Sequence, residues 1–494
     1  MTQAFLDGLK KENNFTLTEN GAVALKSTNS ALVDLFGQIG ALRNRSEQEI
    51  ETAFIKAFSE DSLLATKMAF YARNVRGGLG ERKVFKVIMD FLAKVHPEIV
   101  EKNMAYIPVF GRYDDLYTFV GTKCENLMWE LIYRQWLEDF KNMFQGKPIS
   151  LLAKWLKSCN TSSRESQKLG NLTASKLGLS KKEYRKGLST LRSYLKVVEN
   201  QMSSNKWQDI EYSHVPSKAM KNYRKAFMKH DADGFNTYIE NVSEGKEKIN
   251  SSTLYPYDIL EGMSEWGGFN LRYLKHDQVL EQQWKALPNY IKGENNVLVM
   301  ADTSSSMNGR PMATAVGLAI YFAERNHGVF KDTFMTFSSK PSLVQIKGTT
   351  LYEKVKCVPA IVSNTNLEAA LQLILQTAIN NNLTNEDMPK SLVVISDMQF
   401  DSATRYDYCT TNKTFYQSME RMFADNGYQV PNIIFWQVDA RSDTFQVTSD
   451  YIGVQMASGQ SPSVFKSVLA NIGKTPYEAM VATLNDPMYD MITV

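Results

Sequence analysis

Only four of the 494 residues are cysteine, Cys124, Cys159, Cys357 and Cys409, and no two form a CxxC pair. So sparse a set excludes a disulfide framework and fits a reducing compartment. With five scattered histidines it also argues against a Cys/His zinc module. No stretch approaches the ~18 unbroken apolar residues of a membrane-crossing helix. The opening MTQAFLDGLKKENNF has no apolar core of secretory-signal length. A cytoplasmic protein with no membrane partner is therefore expected. The chain also lacks a G-x-x-x-x-G-K-[ST] phosphate loop and a G-x-S-x-G nucleophile elbow, which removes two large enzyme classes. What is present is 43% hydrophobic and 22% charged residues, over a length that accommodates roughly two to four domains of about 100–200 residues.

The net charge of +3 conceals a segregation. Residues 147–229 carry 18 Lys/Arg against 5 Asp/Glu, a local +13 that leaves −10 for the rest of the chain. One basic surface able to meet a polyanion is implied. Residues 1–290 read as helical, with apolar residues at spacings of three and four in ALVDLFGQIGAL, ETAFIKAF and KVFKVIMDFLAKV. Short Gly and Pro breakers separate the helices, as in an array of stacked helix pairs. Residues 291–494 change character. NVLVMAD, DTFMTF, SLVVISDM and NIIFWQV read as strands, alternating with the amphipathic helices PMATAVGLAIYFAERN and LEAALQLILQTAI. That alternation predicts a doubly wound α/β domain with a parallel sheet, whose ligand site lies at the carboxyl ends of the strands.

Three stretches fall at such ends: Asp302-Thr303-Ser304-Ser305-Ser306, the loop containing Thr365, and Asp397. Two carboxylates and three hydroxyls make an all-oxygen set suited to a hard divalent cation such as Mg²⁺ or Mn²⁺. The order Asp-x-Ser-x-Ser, then Thr, then Asp resembles the metal-ion-dependent adhesion site of the von Willebrand factor type A domain. The resemblance implies that Ser304, Ser306 and Thr365 bind metal directly and that Asp302 and Asp397 act through water. It also implies an open coordination position that takes a carboxylate from a protein partner. No histidine stands near these segments to activate Ser304, so a non-enzymatic role is expected.

Laid out at 100° per residue, KKEYRKGLSTLRSYLKVVEN (181–200) separates two sides. Tyr184, Leu188, Leu191, Leu195 and Val198 form an apolar stripe, while Lys181, Arg185, Arg192 and Lys196 fall within about 60° elsewhere. A helix starting at Pro216 repeats the design with Lys218, Lys221 and Lys225. Such stripes follow a phosphate backbone with little sequence selection. GRYDDLY (111–117), LLAKWLKS (151–158), KEYRKGLSTLR (182–192) and VPSKAM (215–220) resemble a family of uncharacterised phage, bacterial and plant proteins. The arrangement is similar to the Ro autoantigen (TROVE) family. That similarity implies a ring of HEAT-like helix pairs that binds structured RNAs and single-stranded RNA ends as a ribonucleoprotein. The expectation is thus a Ro-like RNA-binding protein with a metal-dependent type A domain. A protein-interaction scaffold or chaperone-associated adaptor acting through the metal site is the alternative, and a metal-assisted nuclease a third reading.

Overall fold

The computed structural model describes residues 13–265, 268–292, 295–337, 341–359, 366–401 and 414–494. A helical amino-terminal region precedes a carboxy-terminal α/β sheet of six strands. Helix starts follow local chemistry. Ser46 and Ser180 close capping boxes with Glu49 and Glu183, opening the helices Glu47–Glu60 and Lys181–Tyr194. The Lys83–Val95 helix buries Val84, Phe85, Ile88, Met89 and Leu92 along one face. The amino-terminal region is not wholly helical. Among the described residues it includes an antiparallel hairpin of β1 (Phe15–Leu17) and β2 (Val23–Leu25), whose strands are too short for periodicity to register.

The sheet comprises β3 (Val297–Asp302), β4 (Thr333–Phe337), β5 (Ser342–Gln345), β6 (Ser391–Ser396), β7 (Asn432–Gln437) and β8 (Val454–Ser458), in the order β5-β4-β3-β6-β7-β8. β3, β6 and β8 are buried along their whole length, between layers that include the helices Arg310–Arg325 and Leu367–Asn380. The expected all-parallel sheet is in fact mixed. β5 pairs antiparallel with β4 at the edge, and its half-exposed Ser-Leu-Val-Gln has no continuous apolar run to announce it. The chain leaves β3 for β4 on one side and later returns to β6 on the other. The carboxyl ends of β3 and β6 therefore flank the topological switch point, where an open α/β sheet places its ligand.

The two regions share one apolar core. Trp284 of the helical region meets Tyr321, which stacks on Phe465, which meets Trp436 of β7. The Ala31–Gln38 helix packs on β8, where the Ser458 hydroxyl donates to Phe36 O and accepts from Gly40 N–H, both at 3.0 Å. At the other end of the chain, Tyr489 stacks on Phe110, and Asn103 donates to Thr493 O at 2.6 Å. A second, smaller core gathers Trp207, Met220, Phe227, Phe235 and Tyr238.

A Cβ on Gly40 would stand 2.6 Å from Gly459 Cα and 2.7 Å from Ser458 C, both backbone atoms that cannot turn aside. Gly40→Ala is expected to cost about 1–3 kcal/mol. In urea the midpoint should fall with an unchanged slope, and far-ultraviolet circular dichroism and tryptophan fluorescence should report one coincident transition. Separate transitions for the two probes would contradict a shared core.

Candidate functional site

Asp302 ends β3, and the chain then turns through Thr303 and Ser304 into a short 3₁₀ turn at Ser305–Met307. The Asp302 carboxylate holds that turn, since Ser304 N–H donates to its Oδ1 at 2.9 Å. The Ser396 hydroxyl at the end of β6 donates to Oδ2 at 2.6 Å. Ser304 Oγ and Ser306 Oγ lie 3.0 Å apart. Parallel pairing of β3 with β6 brings Asp397, one residue past β6, to the same place. Met398 follows with φ +63°, a left-handed backbone that a long side chain adopts only when its surroundings compel it. Asp302, Ser304 and Asp397 are buried, and the half-exposed Ser306 with the exposed Ser305 forms the opening. Thr365 lies outside the described residues.

Three features of this site have no local trace in the sequence. Ser396 anchors Asp302. Arg441 donates to Ser306 O, pairs with Asp439 at 3.2 Å and reaches 4.0 Å from Asp397 Oδ2. The β1–β2 turn supplies the third: Thr18 donates to Phe400 O at 2.6 Å, and Glu19 N–H donates to Gln399 Oε1 at 2.8 Å. Asn20 adds a bond to Gln399 O at 2.7 Å. The start of the chain thus braces the segment after Asp397 from some 380 residues away. No spacing rule reports such a contact.

The donor set fits a hard cation. Asp397 Oδ2 is buried and accepts no hydrogen bond; the Arg441 guanidinium faces it from 4.0 Å, and a cation is the other group that would serve such an oxygen. No three His, Cys, Asp or Glu side chains gather around a common point among the described residues. A cation between these two aspartates would therefore rely on hydroxyls and water, as Mg²⁺ does. Burial, together with the charge of Asp397, raises Asp302 to about 7. Burial also raises Asp397, against the Ser306 hydroxyl, the Gln399 N–H and Arg441.

The basic residues separate into free and committed ones. The Lys181–Tyr194 helix ends earlier than the stripe requires, and Lys196 lies beyond it with φ +51°, paired with Glu211 at 2.7 Å. Arg192 turns inward. Its guanidinium donates to Ala153 O, Leu156 O and Ser158 Oγ at 2.8–2.9 Å, tying the helix to the preceding segment. Lys181 and Arg185 remain exposed, and Arg185 with Lys182 and Lys186 lines a groove of about 680 Å³. On the Ser217–His230 helix, Lys225 is exposed, while Lys218 and Lys221 each lie 3.6 Å from Asp258. The four-cation line of the sequence is thus shortened, because helix periodicity carries no information about where a helix stops or which carbonyls face it. Trp207 is buried against His230.

The folded protein keeps a proton on Asp302 up to about pH 7, whereas an unfolded chain releases it near pH 4. The folded state therefore binds more protons in that interval, and metal-free stability falls as pH rises from about 4 to about 7. Asp302→Asn, neutral throughout, is expected to flatten this profile and to raise the chelator-treated melting temperature at pH 7.5 by at least ~2 °C. A variant with the original slope would contradict the assignment.

Similarity searches return relatives without an assigned role. The family model of DUF7788, a domain of unknown function, matches residues 296–486. That of DUF2828, also a domain of unknown function, matches residues 18–121 and 141–296. The uncharacterized protein L728 of Acanthamoeba polyphaga mimivirus is 29% identical over 500 aligned residues, covering 92% of this chain and 85% of its own. Since the second model spans more than half of the chain, on both sides of a short gap, the protein belongs to the DUF2828 family.

Proposed function

We propose that this protein is a non-enzymatic RNA-binding protein of Ro-like type whose sheet domain, of the von Willebrand factor type A kind, carries a divalent cation for binding a protein partner. The observation that carries the metal reading is the convergence of Asp302, Ser304, Ser306 and Asp397 at the switch point, with Asp397 Oδ2 buried and lacking a donor. Ser304 and Ser306, with Thr365, would hold Mg²⁺ or Mn²⁺ directly, and Asp302 and Asp397 would hold it through water. Such a cation supplies an open coordination position for a partner's carboxylate. The protein's own groups do the rest. Ser396 and the Ser304 N–H orient Asp302, Arg441 fixes the Ser306 backbone, and burial excludes bulk water from both carboxylates.

The RNA reading is supported by the charge segregation and by the cations that remain exposed: Lys181, Arg185 and Lys225, with Lys182 and Lys186 beside Arg185. Phosphate contacts from such residues give affinity that weakens steeply with salt.

Mg²⁺ or Mn²⁺ at millimolar concentration is expected to raise the melting temperature of the unaltered protein, because a ligand selective for the folded state stabilises it by mass action. Ser304→Ala and Asp397→Ala should each abolish that rise; an equal rise in both would refute the site. For RNA, Lys181→Glu with Arg185→Glu is expected to weaken binding of a structured RNA with a single-stranded 3′ tail about tenfold. The slope of log affinity against log salt should shrink by about 1.4–1.8. Affinity and slope that stay unchanged would exclude that face. Partner binding that needs Mg²⁺ but ignores RNA would assign the protein-interaction scaffold instead.

A further inference from the structure

A second cationic face lies outside the two stripes, around Asp114 and Asp115 of the GRYDDLY segment. Both carboxylates are buried. Asp115 accepts from Arg73 at 2.7 Å and from Arg82 at 2.9 Å. Asp114 accepts from Arg82 at 2.7 Å, from Arg112 at 2.8 and 2.9 Å, and from Lys157 at 3.1 Å. Gly111 is required here, since a Cβ would stand 2.5 Å from Asp115 Oδ2 and 2.7 Å from Arg73 Nε. Burial opposes ionisation of Asp114, yet Arg112, Arg82 and Lys157 hold it down at about 2. Asp114 is therefore a permanent counter-ion, and the hydrogen bonds of both aspartates fix the direction of the surrounding cations.

The cations outnumber them. Arg73 is buried and pairs with Asp115, whereas Arg82, which bridges both aspartates, and Arg112 and Lys157, which pair with Asp114, are 29–38% exposed. Arg112 also sits over the half-exposed Trp155, with its Cζ 4.0 Å from the ring centroid. Lys86 and Lys154 stand beside this group, both half-buried, and among the described residues neither has a carboxylate in ion-pair contact. Burial lowers both ammonium groups, and neighbouring arginines add to the effect. Six cations thus meet two carboxylates, an excess of four charges, or three when Glu199, which faces Lys154, is counted. So large an excess on a half-buried face attracts an anion. The face also extends. Lys157 adjoins Ser158, Ser158 lines the 680 Å³ groove with Lys182, Arg185 and Lys186, and Tyr184 donates to Lys157 O at 2.8 Å across the junction. A run of cations of this length matches a chain of phosphates better than an isolated one.

We infer that Arg82, Lys86, Arg112, Lys154 and Lys157, braced by Asp114 and Asp115, form a phosphodiester-binding surface continuous with the Arg185 groove. This rests on the RNA reading above and names the part of the surface that the helical stripes omit.

The test is filter binding of a single-stranded RNA 20-mer across a salt series, using Lys86→Gln with Lys154→Gln in the full-length protein. Both substitutions leave every Asp–Arg pair intact, and Lys154→Gln alone serves if the double variant melts early. The dissociation constant is expected to rise about tenfold, and the salt slope to shrink by about 1.4, or 0.7 per lost contact. Unchanged affinity and slope, alongside a loss in Lys181→Glu with Arg185→Glu, would overturn this inference and leave the RNA reading standing. An unaltered protein that fails to bind RNA at physiological salt overturns both. Displacement of the RNA by about 10 mM inorganic phosphate at constant ionic strength would reassign the face to free phosphate and also overturn it.

Discussion

Two carboxylates buried together, Asp302 and Asp397, set the terms for the sheet domain. Each would be easy to solvate at a surface. Placed at the carboxyl ends of neighbouring parallel strands, they raise each other's cost of ionisation. Much of the nearby structure answers that cost. Ser396 and the Ser304 N–H serve Asp302, the left-handed Met398 turns the chain immediately after Asp397, and Arg441 approaches from the loop after β7. Asp397 Oδ2 alone remains without a donor.

The helical region is part of the same device. Its opening hairpin turn braces Gln399 and Phe400, its Ala31–Gln38 helix covers β8, and Trp284 joins the aromatic chain that reaches β7. A partner held at the carboxyl ends of β3 and β6 would therefore act on a body that also carries the basic face. The Asp114–Asp115 centre adjoins the same core, through Leu116 and through Arg73 of the Ser62–Arg73 helix, whose neighbour Asn74 donates to Tyr489 near the carboxy terminus at 3.0 Å. Coupling between the two sites has a physical route in these contacts, although a shared core is a route and not by itself a switch.

Legibility followed the range of the interaction. Strands such as SLVVIS and NIIFWQ are continuous apolar runs, and their alternation with amphipathic helices declares the sheet from local pattern. Asp302, Ser304 and Ser306 lie within five residues, so their juxtaposition is also local, and β-strand parallelism then brings in Asp397. Contacts that span 94 to 380 residues are not legible. Nothing in the sequence ties Glu19 to Gln399, Ser396 to Asp302, or Arg441 to Ser306. The basic stripes failed in part for a related reason. Periodicity placed Arg192 and Lys196 on one helical side, but the helix ends at Tyr194, and Arg192 finds three acceptors on the preceding segment. Conversely, GRYDDLY on its own shows only that Asp114 and Asp115 lie beside Arg112, as in a structural ion pair or cap. The gathering of Arg73, Arg82 and Lys157 onto the same two aspartates arises only from tertiary packing.

The most direct test of the central claim is anomalous diffraction from crystals of the full-length protein grown with Mn²⁺. The account predicts one strong anomalous peak at the carboxyl ends of β3 and β6, bounded by Ser304, Ser306 and Asp397. A saturated crystal with no peak there, or with manganese bound only elsewhere, would contradict it.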